Sequence, residues 1–225
     1  MKPAPRIALI HATALSMEPV RAAFSRHWPQ ARCMNLLDDS LSVDLAEACK
    51  LRPEMVERFI DLAGYAKRTG CDAILFSCSA FGPAIEAARQ VVGLPTLKPN
   101  EAMFEQALAM CSHEDASIGL IATFAASIPS MSAELHSMAR ERRHHIELHT
   151  AFVPEAMQDL AAGRVSQHHE KIAAAAVALR DCDVVMLAQF SMAAALPVVQ
   201  AALHCPVLSS PDCAVLALRK RISDV

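Results

Sequence analysis

The chain has 225 residues, of which 53% are hydrophobic and 20% charged, and its formal net charge is −3. This length and composition predict one compact unit or two small ones with a sizeable core, and they exclude a disordered chain. The mild acidity provides no basic field, so we expect no nucleic acid partner.

Short apolar runs, typical of strands buried on both faces, alternate along the chain with longer helical patterns. In chain order, the predicted strands are Ile7–Ile10, Cys33–Leu37, Ala73–Phe76, Pro95–Leu97, Ile118–Ala122, Ile146–Leu148, Val184–Ala188 and Val207–Leu208. Between them, apolar residues recur at helical spacing, clearest over 55–63 and 103–108. The alternation of strand and helix predicts an α/β fold with parallel sheets.

An internal repeat with one constant offset, close to half the chain length, relates the two parts of the chain. The offset places Ile7–Ile10 on Ile118–Ile121 and Cys71-Asp72 on Cys182-Asp183, and it also places Pro95 on Pro206. A single offset that holds in separate segments predicts two pseudo-symmetric α/β halves. We assign residues 1–98 plus 210–225 to the first half and residues 99–209 to the second.

Ligands bind at the carboxyl ends of the strands in open parallel sheets, so two facing halves predict an active site in the cleft between them. The strand exits then supply the candidate lining. From these exits we select as substrate-binding candidates His11, Thr13, Ser40, Ser79, Ala80, Thr123, Phe124, Gln189 and Phe190. His11 is a candidate polar cleft residue and a weaker candidate acid or base.

Cys78 is the candidate catalytic residue. It ends the strand Ala73–Phe76 and precedes a helix that Gly82-Pro83 is expected to start. Free N–H groups and the helix dipole at this position favour a thiolate, and they also suit a carboxylate ligand. A buried structural cysteine is the alternative. In the internal repeat, Gln189 of the second half is the residue equivalent to Cys78 of the first. Glutamine does not transfer protons at neutral pH.

The remaining motifs indicate no cofactor and no metal. The six glycines are too scattered for a dinucleotide or phosphate loop, and the eight cysteines form no C-x-x-C pair. The histidines at 144, 145, 149, 168 and 169 lack metal-ligand spacing, and we expect them on the solvated surface. No signal-peptide pattern or membrane span is evident, so we expect a reduced, cytoplasmic protein with no membrane partner.

The whole chain resembles the aspartate/glutamate/hydantoin racemase superfamily, to which arylmalonate decarboxylase and maleate isomerase are related. The segments that carry the resemblance are Arg6–Thr13, Asp38–Leu41, Cys71–Ile85, Ile118–Ser127, Asp183–Met192 and Pro206–Pro211. The resemblance implies two pseudo-symmetric domains, an active site between them and no cofactor. It also implies a cysteine on each half, one of which removes a proton from the substrate while the other returns one.

Transferred to this chain, the resemblance makes Cys78 the first family cysteine and Thr123 a substrate-binding threonine. Ser79 and Ala80 match the residues whose backbone amides hold the substrate carboxylate. The second cysteine is absent, because its place falls at Gln189. Arylmalonate decarboxylases also keep a single cysteine, in the other half.

We therefore expect a cofactor-independent racemase or isomerase that transfers a proton at the carbon next to a carboxylate of a small organic or amino acid. Cys78 is the expected acid or base. Two alternatives stay open, an arylmalonate-type decarboxylase with one cysteine and a carboxylate-binding protein without turnover. A homodimer is an expectation from fold analogy.

Overall fold

The computed structural model describes residues 4–111 and 116–223, and it consists of two four-stranded parallel sheets covered by helices. The first sheet contains β1 (Arg6–His11), β2 (Arg32–Leu37), β3 (Ala73–Phe76) and β4 (Thr96–Leu97). The second sheet contains β5 (Ala116–Ala122), β6 (Ile146–Phe152), β7 (Val184–Leu187) and β8 (Val207–Ser209). The predicted outer limits of the assignment, residues 1 and 225, lie outside the described residues.

Ten α-helices accompany these strands in the described part of the chain. They are α1 (Met17–His27), α2 (Ser40–Ala48), α3 (Pro53–Arg68), α4 (Gly82–Val92), α5 (Glu101–Met110), α6 (Ser127–Glu141), α7 (Pro154–Ala161), α8 (Val165–Ala176), α9 (Leu196–Ala202) and α10 (Ser210–Ser223). Within the same ranges, no helix is long and apolar enough to cross a lipid bilayer.

The two sheets have the same strand order, β2-β1-β3-β4 and β6-β5-β7-β8, as the internal repeat predicts. Their registers also correspond under the offset of the repeat. Ile7 pairs with Ala73 in the first sheet, and Ile118 pairs with Val184 in the second. The α/β fold with two similar parallel-sheet halves is therefore confirmed.

The start of each central strand is fixed in the same way in both halves. The Asp72 carboxylate accepts the backbone N–H of Arg6 at 2.7 Å, and the Asp183 carboxylate accepts that of Ser117 at 2.8 Å. The offset of the repeat places Asp72 on Asp183, and it also places the donor residue Arg6 on Ser117. The repeated Cys-Asp dipeptide thus reflects a repeated contact between neighbouring strands.

Helices cover both faces of each sheet, and the helix that follows the last strand of one sheet packs on the other sheet. The helix α5 follows β4 but lies in one core cluster with β5 and β7. The helix α10 follows β8 but packs with β1, β3 and α1. The assignment of residues 210–225 to the first half agrees with this packing, although as a domain boundary it stays a prediction.

The prediction of surface histidines is wrong for His168. This side chain lies on α8 with 0% of its surface exposed. Neither ring nitrogen has a hydrogen-bond partner among the described residues. Burial lowers the pKa of His168 to about 4, so the imidazole is neutral at physiological pH.

Candidate functional site

A cavity of about 260 Å³ lies where the carboxyl ends of the two sheets meet. Its walls come from both halves of the chain. The lining residues are Thr13, Leu15, Ser16, Ser42, Ser77, Cys78, Ser79, Phe124, Met157, Gln189, Phe190 and Ser191. The volume suits a small organic molecule rather than a nucleotide or a large cofactor.

Six of the ten predicted site residues line this cavity. They are Thr13, Cys78, Ser79, Phe124, Gln189 and Phe190. Ala80 and Thr123 line an adjoining, more open cavity of about 600 Å³, which shares Phe124 and Met157 with the first. Strand exits are informative about this site because both sheets end at it.

Cys78 lies at the wall of the small cavity, directly after β3. Its backbone is extended, and it caps a short 3-10 helix, Ser79–Phe81, that leads into α4. The helix start at Gly82 is therefore as predicted. The backbone N–H of Ala80, in the first turn of this helix, is close enough to the Cys78 sulfur to favour its ionisation slightly.

The expected thiolate is not favoured at this position. Burial raises the pKa of Cys78 to about 11, and the opposing effect of the Ala80 N–H is smaller. The helix-start argument considered the backbone donors but not the loss of solvent around the sulfur. The Cys78 side chain is thus a protonated thiol at neutral pH.

Gln189 has the same local setting in the second half as Cys78 has in the first. It follows β7 with an extended backbone and caps a 3-10 helix, Phe190–Ala195, that leads into α9. The Thr123 N–H and hydroxyl donate to the Gln189 Oε1 at 2.8 and 3.2 Å. The Gln189 Nε2 donates to Ser127 Oγ at 2.8 Å.

These contacts fix the Gln189 amide within its own half. Only 9% of the residue is exposed. The Thr123 hydroxyl, predicted to hold a substrate carboxylate, is hydrogen-bonded to Gln189 in the structure. The amide nitrogen of Gln189 carries two hydrogens, so one N–H is left to donate to a ligand in the cavity.

His11 lies behind the cavity wall rather than on it. The residue is 1% exposed, and its imidazole bridges two neighbouring strands. The His11 Nδ1 is 2.7 Å from Ser77 Oγ, and its Nε2 is 3.0 Å from Asn35 Oδ1. Burial lowers the pKa of His11 despite the opposing hydrogen bond to Asn35. His11 therefore does not line the cavity itself. It is connected to the cavity by its hydrogen bond to Ser77, which does line it.

Ser40 lies outside the cavity, at the exposed start of α2. Its hydroxyl donates to the Asp38 carboxylate at 2.7 Å and accepts a hydrogen bond from Arg58. The Arg58 guanidinium also donates to Asp38 through Nε at 3.0 Å. Ser40 is thus part of a surface ion-pair network.

Six cavity residues are absent from the predicted set. They are Leu15, Ser16, Ser42, Ser77, Met157 and Ser191. Ser77 and Ser191 lie at predicted strand exits and so belong to the candidate lining, although neither was selected as a binding residue. Met157 comes from α7, far along the chain, and no sequence pattern connects that helix to the cavity.

The cavity lining is uncharged, and apolar atoms make up most of its surface. Among the described residues, 4–111 and 116–223, no lysine, arginine, aspartate or glutamate lines it. In the same ranges, no group of three or more His, Cys, Asp or Glu side chains is placed to hold a metal ion. The hydrogen-bond donors that this wall offers to a ligand are backbone amides, hydroxyls and the Gln189 amide.

The fold and the cavity define an α/β protein of two similar parallel-sheet parts with a candidate site where the sheet ends meet. The family model for Asp/Glu/hydantoin racemases matches residues 8–143, more than half of the chain. The chain therefore belongs to the Asp/Glu/hydantoin racemase family. No curated protein sequence matches it.

Solved structures show the same fold at low sequence identity. Glutamate racemase RacE1 from Bacillus anthracis has a TM-score of 0.73 at 16% identity, covering 99% of this chain and 83% of its own. Allantoin racemase from Klebsiella pneumoniae has a TM-score of 0.72 at 16% identity, covering 97% and 88%. Unliganded arylmalonate decarboxylase has a TM-score of 0.61 at 16% identity, covering 96% and 92%.

Proposed function

We propose that this chain is a cofactor-independent, cytoplasmic enzyme of the racemase or isomerase type. It transfers a proton at the carbon next to a carboxylate or related carbonyl group, and Cys78 is the proton donor. The observation that carries the proposal is the Cys78 thiol on the wall of a small cavity built from both sheet ends. A positioned proton donor and hydrogen-bond donors for the developing enolate are what this chemistry requires.

The protonation state of Cys78 supports its role as the acid. With a pKa of about 11, the thiol holds its proton at neutral pH. It delivers that proton to a substrate carbanion when the carbanion forms beside it. The sulfur then carries the negative charge, which the Ala80 N–H stabilises.

The uncharged lining favours a substrate with a single anionic or enolisable group. A second carboxylate or a free ammonium group would lose its water here without an opposite charge to replace it. We therefore infer a preference for neutral cyclic ureides, such as hydantoins or allantoin, or for monocarboxylates with an apolar substituent. Glutamate and aspartate fit this cavity less well.

Solvent deuterium exchange tests the proposal directly. The protein is incubated in D₂O with allantoin, a 5-substituted hydantoin, 2-phenylpropionate, glutamate and aspartate, and loss of the carbon-bound proton is followed by NMR. We expect exchange with a member of the first three compounds. Cys78→Ala should lower the rate at which the two substrate enantiomers interconvert, measured by chiral chromatography, by about 10²–10⁴-fold, the usual contribution of a positioned acid or base.

Cys205→Ala is the matched control, since Cys205 lies before β8, at the opposite end of the sheet from the cavity. It should exchange at the wild-type rate. Interconversion of the enantiomers at the wild-type rate in Cys78→Ala would refute the proposed role of the thiol. Tight binding of a panel compound without exchange would instead identify a carboxylate-binding protein.

Decarboxylation of an arylmalonate-type substrate is a second candidate. It is favoured by the apolar side chains of Leu15, Phe124, Met157 and Phe190 around a thiol that holds its proton. The second carboxylate of such a substrate is poorly solvated in this cavity, which weakens its binding but favours its loss as CO₂, and the thiol then protonates the enediolate on one face. Release of CO₂ from phenylmalonate with formation of one deuterated product in D₂O would support this reaction over racemisation.

A further inference from the structure

A hydrogen-bonded series of three side chains leads from the cavity into the first sheet. Ser77 Oγ lies 2.7 Å from His11 Nδ1, and His11 Nε2 lies 3.0 Å from Asn35 Oδ1. Ser77 lines the cavity together with Cys78 and is only 4% exposed. His11 is buried, whereas Asn35 is an exposed residue of the edge strand β2. The series therefore connects the cavity wall to the protein surface.

The strand geometry explains why these three residues meet. Side chains alternate between the two faces of a strand, and β1, β2 and β3 are in parallel register. Residues 11, 35 and 77 therefore lie on the sheet face that packs against α1 and α10. Cys78, one position further on, packs with the cluster on the opposite face. Ser77 and Cys78 thus reach the cavity from the two faces of the same strand exit.

The partners of His11 determine the direction of its hydrogen bonds. The amide oxygen of Asn35 only accepts, so His11 carries its proton on Nε2 and donates there. Its Nδ1 is then an acceptor, and the Ser77 hydroxyl donates to it. Because burial lowers the pKa of His11, the imidazole is neutral at physiological pH and can receive a proton.

We propose that the Ser77 hydroxyl, relayed to the His11 imidazole, is the second proton-transfer group of the cavity and acts together with Cys78. This inference rests on the proposed function. It supplies the group that the absence of a second cysteine leaves missing, because Gln189 is hydrogen-bonded within its own half and cannot transfer a proton. Ser77 is the catalytic residue of the pair, and His11 and Asn35 are positioning residues.

Each proton and electron pair has a defined destination in this relay. The substrate C–H bond breaks and its electron pair stays on the substrate as an enolate or enediolate. The proton moves to Ser77 Oγ while the original Ser77 proton moves to His11 Nδ1. The resulting imidazolium is stabilised by its Nε2–H bond to Asn35. Cys78 then donates its thiol proton to the carbon, and the S–H electron pair remains on sulfur.

The resting state is regained when the imidazolium returns its proton through Ser77 to the thiolate. In the reverse direction, the Cys78 thiolate removes the proton and the Ser77–His11 pair returns it. A thiol and a neutral imidazole are complementary resting states, one an acid and the other a base. Both carry the charge state that burial favours at neutral pH.

The test measures kcat and KM for deuterium exchange in variants of the complete chain. We expect Ser77→Ala and His11→Asn to lower kcat at least 100-fold while KM changes less than threefold. Ser77→Cys, assayed with a reductant, should recover to within tenfold of wild type, because a thiol also transfers protons. A purely structural role of Ser77 would not give this recovery.

Asn35 provides a second pair of variants, at an exposed position where substitution disturbs folding less than it does at the buried His11 and Ser77. Asn35→Asp should keep or raise kcat, since a carboxylate stabilises the imidazolium better than an amide does. Asn35→Ala should lower kcat severalfold. Equal kcat in the two Asn35 variants would count against the relay.

Two failures are distinguishable. If Ser77→Ala exchanges like wild type while Cys78→Ala does not, the relay is overturned and the proposed function stands. If the wild-type protein exchanges none of the panel compounds, the proposed function is overturned and the role of Ser77 falls with it. Circular dichroism and thermal unfolding identify any variant that does not fold. If the Ser77 or His11 variants do not fold, the kcat values of Asn35→Asp and Asn35→Ala decide whether the relay operates.

Discussion

Gln189 shows how one residue changes the chemistry of a repeated fold. It occupies the strand-exit position that Cys78 occupies in the first half, and both residues cap a 3-10 helix. Its amide accepts two hydrogen bonds from Thr123 and donates one to Ser127. The residue therefore organises the second wall of the cavity but carries no transferable proton.

Replacing Gln189 by cysteine should place a second thiol across the cavity. We expect Gln189→Cys to create or raise interconversion of substrate enantiomers, measured by chiral chromatography. It should also lower the free energy of unfolding by about 1–2 kcal/mol, because the Thr123 N–H loses its buried acceptor. Gln189→Ala, which loses the same bonds without gaining a thiol, is the control. An equal rate in both variants would contradict the predicted pairing of positions 78 and 189.

The residues of the site were predictable to the extent that strand position determines them. Cys78 and Gln189 follow strands whose ends the sequence marks clearly, and both line the cavity. The side-chain environment was not predictable in the same way. The sequence shows the helix start after Cys78 but not the burial that raises its pKa, and it does not show that His11 faces Ser77.

At the scale of elements, the central strand β5 has no room for a side chain at a position where its counterpart β1 carries one. In the internal repeat, Gly119 of β5 is equivalent to Ala8 of β1, so the second half has the smaller residue at this position. A Cβ atom on Gly119 would lie 2.9 Å from Val185 Cγ2 and 3.1 Å from Leu179 Cδ1. The neighbouring strand and the 3-10 helix Val177–Leu179 thus occupy the space that a methyl group needs.

Gly119→Ala should therefore destabilise the protein by about 1–3 kcal/mol, as overpacking of a core does. Gly64→Ala is the matched control within α3, where the nearest atom to an added Cβ is the flexible Arg68 Nη1 at 3.5 Å. This change should stabilise the protein by about 0.5–1 kcal/mol, since alanine is the better helix former. Urea unfolding measures both. Equal effects of the two substitutions would refute the packing argument.

The eight strands were predictable because most are continuous apolar runs. The strand β6 extends further than predicted, to Phe152 rather than Leu148. It is an edge strand in which no residue is fully buried, and polar Glu147, His149 and Thr150 interrupt the apolar pattern. Edge strands are thus less visible in the sequence than central ones.

At the scale of the whole molecule, the exchange of α5 and α10 ties the two halves together. Each helix follows the last strand of one sheet in the chain but packs on the other sheet, so each sheet is covered in part by the helix that follows the other one. The repeat predicts that α5 and α10 correspond, because its offset places Glu101 on Asp212. Which sheet each one covers depends on tertiary packing. The homodimer, expected only by analogy, stays a prediction.

An ion-pair network joins the same helices. The Glu101 carboxylate on α5 accepts hydrogen bonds from Arg221 on α10, at 2.7 Å, and from Arg89 on α4. The Glu101 side chain is 11% exposed. Burial opposes its ionisation, but the two arginines outweigh this effect and lower the pKa of Glu101 below its ordinary value of 4.5.

A carboxylate with a lowered pKa in the folded state stabilises the protein above its unfolded pKa, and this contribution is lost as the pH falls through the folded value. We therefore expect Glu101→Gln to lower the free energy of unfolding by about 1–3 kcal/mol at pH 7, where both arginines lose a charged partner. The difference from wild type should shrink below about pH 4.5, as Glu101 itself becomes protonated. Urea unfolding at pH 7, 5 and 3.5 measures it.

Glu105→Gln is the control for this prediction. Glu105 lies one turn further along α5, is 39% exposed and approaches Arg221 only at 3.8 Å. Its replacement should change the free energy of unfolding by less than about 0.5 kcal/mol, as for other exposed ion pairs. A pH-independent effect of Glu101→Gln would show that the glutamine disturbs packing rather than charge. The junction of α4, α5 and α10 would then be held together by its apolar contacts alone.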